Sequence, residues 1–157
     1  MGHKGFTLIE VLITVTILAI LASTVMPRSN MSLKRAKDTE LRENLRTIRK
    51  AIDEYKRVWD EGRIKKNAGE SGYPPDIKTL VDGVDDAASP QSGKKIRFLR
   101  RIPRDPMNPE TSIAPHETWR LRSYQSGPDD PKEGDDVFDV YSRSDDTAID
   151  GTLYKTW

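Results

Sequence analysis

The chain has 157 residues, which is enough for one domain and a short additional segment. It has no cysteine, and its 26 basic and 25 acidic residues nearly cancel. A balanced charge gives no electrostatic reason for a nucleic-acid partner, so we expect none. The sequence also lacks a glycine-rich phosphate loop and a Gly-x-Ser-x-Gly motif, and we predict that the protein is not an enzyme.

An apolar stretch lies near the start of the sequence. Phe6 to Met26 is a run of 21 residues without Lys, Arg, Gly or Pro. As a helix it would be about 31 Å long, enough to cross a bilayer core of about 30 Å. Glu10 is its one charged residue, and an ionisable group within a membrane usually has a partner and a function.

Three interpretations of this stretch differ in how they treat Glu10. A secretory signal peptide would have a shorter apolar run without an acid near its start. A single-pass anchor explains the length of the run but not the acid. If the chain were cut before Phe6, the Glu10 carboxylate of a neighbouring subunit could pair with the new Phe6 amine. The alternative is that Glu10 lies at the headgroup boundary, solvated and without a role.

The residues around the junction are Lys4-Gly5-Phe6-Thr7-Leu8-Ile9-Glu10, and this segment resembles the prepilin-peptidase signature of type IV pilins and type II secretion pseudopilins. The resemblance implies that residues 1–5 are a leader removed after Gly5. It implies that the Phe6 amine is then N-methylated and that Glu10 guides subunit assembly. Residues 6–29 would be the transmembrane and filament-core helix, and residues 30–157 a periplasmic globular domain. Basic residues are usually found on the cytoplasmic side of a membrane helix. Those that follow the anchor would therefore favour a cytoplasmic location for residues 30–157, opposite to what the resemblance implies.

A helical pattern follows the apolar stretch. Apolar residues form one stripe and recur three and four positions apart from Leu41 onward: Leu33, Leu41, Leu45, Ile48, Ile52, Tyr55 and Trp59. We predict one long helix over residues 6–60, kinked or locally opened at Pro27 and ended by Gly62. Asp38 with Arg42 and Asp53 with Arg57 have the spacing of ion pairs across one helical turn.

The remainder predicts a small β-containing part. A short helix is expected near Pro75 or Asp76, and residues 82–95 read as a loop. Two alternating segments, Trp119–Tyr124 and Val137–Ser142, predict an antiparallel hairpin that covers the helical stripe. The expected fold class is therefore α+β: a long N-terminal helix packed on a small antiparallel sheet with long loops.

Three further motifs extend the resemblance. A Tyr-Pro before the short helix, Leu-x-x-Ile-Pro-x-Asp-Pro from Leu99 to Pro106, and Asp-Val-Tyr-Ser from Asp139 to Ser142 are similar to the major pseudopilin of type II secretion. Met107 departs from that pattern, since the family usually has an aromatic residue there. Type IV pilins often close this region with a cysteine pair, which this chain lacks.

An acidic loop follows the last of these motifs. Calcium prefers six to eight oxygen ligands, and Asp145, Asp146 and Asp150 could supply carboxylates together with nearby carbonyls. The loop is not an EF-hand, and an acidic surface turn is the alternative. The resemblance favours Ca²⁺, because major pseudopilins bind it in the loop after Asp-x-Tyr-Ser; the predicted ligands are Ser142, Asp145, Asp146 and Asp150.

The predicted function is that of a pseudopilus subunit of a type II secretion system. The resemblance implies a helical homopolymer, processing by prepilin peptidase, and contacts with minor pseudopilins and an inner-membrane assembly platform. The chain would be a single-pass inner-membrane protein before it enters a periplasmic filament. Two alternatives stay open: a type IV pilin or minor pilin, and a membrane-tethered calcium-dependent binding domain.

Overall fold

The structure is a computed structural model that describes residues 5–90 and 93–157, with the side chains of residues 24–30 outside that description. Residues 1–4 of the predicted leader therefore lie outside the described residues. The chain divides into two compact units, one that ends at Ala36 and one that spans Lys37–Trp157. We call the second unit the head.

Helix α1 (Leu8–Asp60, 53 residues) contains most of the first unit and the start of the head. It begins two residues later than predicted and continues through Pro27 as helix. At its end Gly62 has a φ of 76°, and its amide donates to the Trp59 carbonyl while the next amide donates to Val58. This left-handed turn ends the helix, as the glycine predicted.

The part of α1 in the head forms one side of the core. The predicted stripe is confirmed from Leu41 to Tyr55, and Trp59 is partly buried. Leu33 is 65% exposed and belongs to the other unit, so its place in the stripe was wrong. The side chains that pack against α1 within the head share near-complete burial: Ile64, Ile77, Leu80, Trp119, Val137, Val140, Ala148 and Tyr154.

A short helix and a minimal sheet follow α1. Helix α2 (Thr79–Asp82) begins later than predicted, and strands β1 (Val84–Asp85) and β2 (Lys95–Ile96) pair antiparallel in the segment predicted as a loop. Gly83 connects α2 to β1 with a φ of 77°, and a Cβ there would lie 2.6 Å from the Ile96 carbonyl oxygen. Only glycine allows both this backbone conformation and this close approach.

The predicted hairpin is present but shorter than expected. Strands β3 (Trp119–Arg122) and β4 (Asp139–Ser142) pair antiparallel, with Trp119 opposite Ser142 and Arg122 opposite Asp139. The Phe138 amide still donates to the Arg122 carbonyl, but the Ser123 amide donates to the Lys132 carbonyl and the ladder ends there. Within β4, Val140 and Ser142 are fully buried.

Candidate functional site

The N-terminal site is organised by the start of α1. The Thr7 carbonyl accepts hydrogen bonds from the Glu10 and Val11 amides at 3.1 and 3.2 Å, and the Thr7 hydroxyl accepts from the Glu10 amide at 3.3 Å. Threonine is a favoured N-cap because its oxygen satisfies an amide of the first turn. The cap places Glu10 in the first turn of α1, one turn away from Phe6.

Gly5 stands just before this cap. A Cβ at Gly5 would meet nothing within 4 Å, and its φ is not in the left-handed region. The fold of the chain therefore does not require glycine at this position. A requirement for Gly5 would have to come from a molecule that acts on the junction between Gly5 and Phe6.

The first unit exposes apolar side chains on every face. Phe6, Leu8 and Leu18 are 81%, 87% and 64% exposed, and the same holds for the larger apolar residues between them and as far as Leu21. Soluble monomers rarely leave contiguous apolar patches of more than a few hundred Å² uncovered. This surface therefore requires a covering of lipid or protein.

Where the structure describes side chains in this apolar segment, the polar ones are satisfied locally, with one exception. The hydroxyls of Thr14, Thr16 and Ser23 donate to carbonyls of the preceding turn at 2.9, 2.7 and 2.8 Å. Such bonds allow a hydroxyl to lie in an apolar environment without an unpaired donor. The exception is Glu10, whose carboxylate has no partner in the part of the chain that the structure describes.

Among the described residues, no helical stretch is both long enough and apolar enough to span a membrane. The membrane-spanning role of residues 6–29 stays a prediction.

The second candidate site is the segment that follows β4, residues 143–157, which we call the C-terminal loop. Its predicted calcium ligands are divided among different partners. The Ser142 hydroxyl is buried and donates to the Asp105 carboxylate at 2.7 Å. It also accepts a hydrogen bond from the Ser144 amide at 3.1 Å.

Two predicted carboxylate ligands form ion pairs. Asp150 accepts from Arg42 at 2.9 Å and from the Thr152 amide and hydroxyl at 3.0 and 2.6 Å. Asp145 pairs with Lys155 at 3.0 Å. The hydrogen bonds of Thr152, followed by Arg42, lower the pKa of Asp150, and the bond from Lys155 lowers that of Asp145.

The third predicted carboxylate, that of Asp146, is exposed, and its carbonyl accepts from the Tyr154 amide at 3.1 Å. Over residues 5–90 and 93–157, no three Asp, Glu, His or Cys side chains are grouped closely enough to hold a metal ion. The predicted ligands therefore do not converge in this structure, and calcium binding stays a prediction.

Sequence reasoning missed the part of α1 that holds the C-terminal loop. Asp38 and Arg42 were expected to pair with each other along the helix. Instead Asp38 accepts from the Tyr154 hydroxyl at 2.6 Å and from the Ile149 amide at 3.3 Å, while Arg42 bonds to Asp150. Their spacing of four residues matched a helical pair, and nothing local indicated partners more than a hundred residues away.

The helix begins two residues after the Gly-Phe junction, exposes apolar side chains on all faces and carries one acid without a partner in the described residues. These features define a class of protein: a subunit whose N-terminal helix must be covered by lipid or protein and whose second unit is a small head. Comparison with known proteins supports this class. The family described as prokaryotic N-terminal methylation motif matches residues 1–26.

Relatives match most of the chain. Type II secretion system core protein G of Pseudomonas aeruginosa is 30% identical over 135 residues, which cover 85% of this chain and 89% of that protein. The protein of the same name from Aeromonas hydrophila is 29% identical with the same coverage, and that from Vibrio cholerae is 26% identical over 85% of this chain and 86% of its own length. No solved structure matches the chain significantly. The chain belongs to the type II secretion system core protein G family.

Proposed function

We propose that the chain is a pseudopilin that prepilin peptidase processes between Gly5 and Phe6 and that assembles into the helical pseudopilus of a type II secretion system. The observation that carries the proposal is the first unit of the structure. Its helix exposes apolar side chains on all faces, the hydroxyls of Thr14, Thr16 and Ser23 are satisfied, and Glu10 has no partner in the described residues.

Two environments cover this surface in turn. Before assembly, residues 6–29 lie in the inner membrane as a single helix, with the head in the periplasm. After assembly, the same side chains pack against those of neighbouring subunits in the filament core. The contact is head-to-tail and does not close on itself, so it propagates as a helix.

Glu10 supplies the register of this packing. A charged group in an apolar environment is stabilised only when it is paired. Removal of residues 1–5 creates an amine on Phe6, and the carboxylate of Glu10 on a neighbouring subunit is positioned to pair with it. A shift of one helical turn along the filament axis brings the two groups level, because Glu10 lies one turn along α1 from Phe6.

The head has a structural role at the filament surface, where it contacts minor pseudopilins and the assembly platform. Its sequence offers little for catalysis, because it contains one histidine, His116, and no cysteine. We therefore assign it no enzymatic activity.

The experiment tests assembly separately from membrane insertion. Glu10→Gln and, as a control on the same helix, Glu40→Gln are produced with the secretion machinery, and membrane and sheared-filament fractions are compared. Glu10→Gln should reach the membrane fraction but be lost from filaments, whereas the exposed Glu40 should be dispensable. Filaments of Glu10→Gln at the wild-type level would refute the pairing role.

A further inference from the structure

We infer that the C-terminal loop is held closed by side chains of the head itself, chiefly Arg42 and Lys155, in the place where the sequence predicted a divalent cation. The inference rests on the contacts within the head and does not depend on the proposed function. It assigns Arg42 and Lys155 the role of charge partners, a role that the pattern of the loop alone did not indicate.

Two carboxylates of the loop already have cationic partners. Arg42 approaches Asp150 from α1, and Lys155 approaches Asp145 from within the loop, at 2.9 and 3.0 Å. A calcium ion would require these carboxylates to turn toward a common point and to lose both cations. Since a cation already balances each charge, the loop has no unpaired concentration of negative charge at these two positions.

Main-chain carbonyl oxygens of the loop accept hydrogen bonds from amides of the same loop. Calcium loops supply several ligands from main-chain carbonyls. Here the Asp146 carbonyl accepts from the Tyr154 amide at 3.1 Å, the Ala148 carbonyl accepts from the Gly151 amide at 3.2 Å, and the Thr152 carbonyl accepts from the Ala148 amide at 2.7 Å. These bonds fold the loop back on itself and engage three of its carbonyls within the loop.

Side chains of α1 attach the loop to the helix. The Arg42 guanidinium lies 3.9 Å from the centre of the Trp157 ring as well as bonding to Asp150. One turn earlier, Asp38 accepts from the buried Tyr154 and from the Ile149 amide. Two successive turns of α1 thus contact the loop at four points, and Arg49 further along α1 donates to the Trp157 carbonyl at 2.7 Å. These contacts close the loop without a bound ion.

The solvent exposure of the two ion pairs determines which measurement can detect their loss. The Arg42–Asp150 pair is about half exposed on both sides, at 54% and 49%, and Lys155–Asp145 is exposed to 42% and 70%. Exposed pairs contribute little to global stability. Their loss should open the loop locally, and amide hydrogen exchange detects local opening directly.

The experiment compares hydrogen exchange of the C-terminal loop in the full chain, purified in detergent. The wild type is measured with EDTA, with calcium and with magnesium at matched ionic strength. A double variant, Arg42→Gln with Lys155→Gln, removes both cations. Its matched control is Arg46→Gln with Lys132→Gln, which removes an arginine one turn further along α1 and a lysine from an exposed pair outside the loop.

We expect wild-type exchange over residues 143–157 to be the same with EDTA and with calcium. The double variant should exchange several-fold faster at the Ile149, Thr152 and Tyr154 amides, while the control pair leaves the loop unchanged. Exchange that is about tenfold faster in EDTA than in calcium would overturn the inference, because closure would then depend on the metal. Unchanged exchange in the double variant would overturn it as well.

Discussion

The buried carboxylate of Asp105 gives the most quantitative prediction for the head. It lies within the segment Leu99–Pro106, whose pattern resembles pseudopilins, and it is only 1% exposed. Its Oδ2 accepts from the Ser142 hydroxyl at 2.7 Å and its Oδ1 from the Met107 amide at 2.8 Å. Asp105 therefore joins the proline-rich segment to the end of β4.

Replacement of Asp105 by alanine removes both hydrogen bonds. A hydrogen bond to a charged group contributes about 1.5–3 kcal/mol, and the desolvation that the carboxylate no longer suffers offsets part of the loss. We expect a net destabilisation of about 2–4 kcal/mol, which for a domain of this size lowers the melting temperature by about 8–16 °C. Asp105→Asn keeps an acceptor for Met107 and should cost about half as much.

The assay is thermal unfolding of the full chain in detergent, followed by tryptophan fluorescence. Trp119 is fully buried in the head and reports its unfolding. The control is Asp130→Ala, which removes an exposed carboxylate paired with Lys132 and should cost about 0–1 kcal/mol. Equal melting temperatures for Asp105→Ala and Asp130→Ala would refute the reasoning.

Three further outcomes test the packing of the head. Ile48→Ala should lower the free energy of unfolding in urea by about 2–5 kcal/mol, whereas Leu33→Ala, at an exposed position, should leave it nearly unchanged. Gly83→Ala should cost about 1–3 kcal/mol, since it combines a positive φ with a clash on the Ile96 carbonyl; a smaller loss would contradict the close approach. Burial, followed by the Asp38 hydrogen bond, raises the pKa of Tyr154. The contribution of Tyr154 to the free energy of unfolding should therefore be complete below a pH of about 10 and decline above it, because the hydroxyl ionises more readily in the unfolded chain. Tyr154→Phe removes this ionisation and should reduce the loss of stability between neutral and alkaline pH.

The long helix and its core face could be predicted because their signals are local. The spacing of Leu41, Leu45 and Ile48 fixes one face of a helix whatever packs against it, and all three are buried. The turn at Gly62 follows from an equally local rule, whereas the cap at Thr7 was not predicted and moves the start of the helix to Leu8.

The minimal sheet of β1 and β2 could not be predicted in this way. Each strand has two residues, too short for alternation to show. Its position depends on contacts with the preceding helix: the Leu80 carbonyl accepts from both the Phe98 and Leu99 amides at 2.9 Å. No pattern within residues 82–95 encodes those bonds.

The two candidate sites differ for the same reason. Gly5, Phe6 and Glu10 lie within one short motif, so their proposed roles follow from a resemblance that is visible in the sequence. The C-terminal loop depends on Asp38 and Arg42, which lie more than a hundred residues earlier in the chain. Sequence reasoning found the acidic residues of the loop but could not identify the groups that balance them.

The central claim is that the chain is processed and then built into a filament, and one measurement tests it most directly. The chain is produced with prepilin peptidase and the secretion machinery, and the intact mass of the protein recovered from the sheared-filament fraction is determined. The account predicts a mature chain that begins with N-methylated Phe6. Filaments built from a chain that still carries residues 1–5, or a mature chain confined to the membrane fraction, would contradict it.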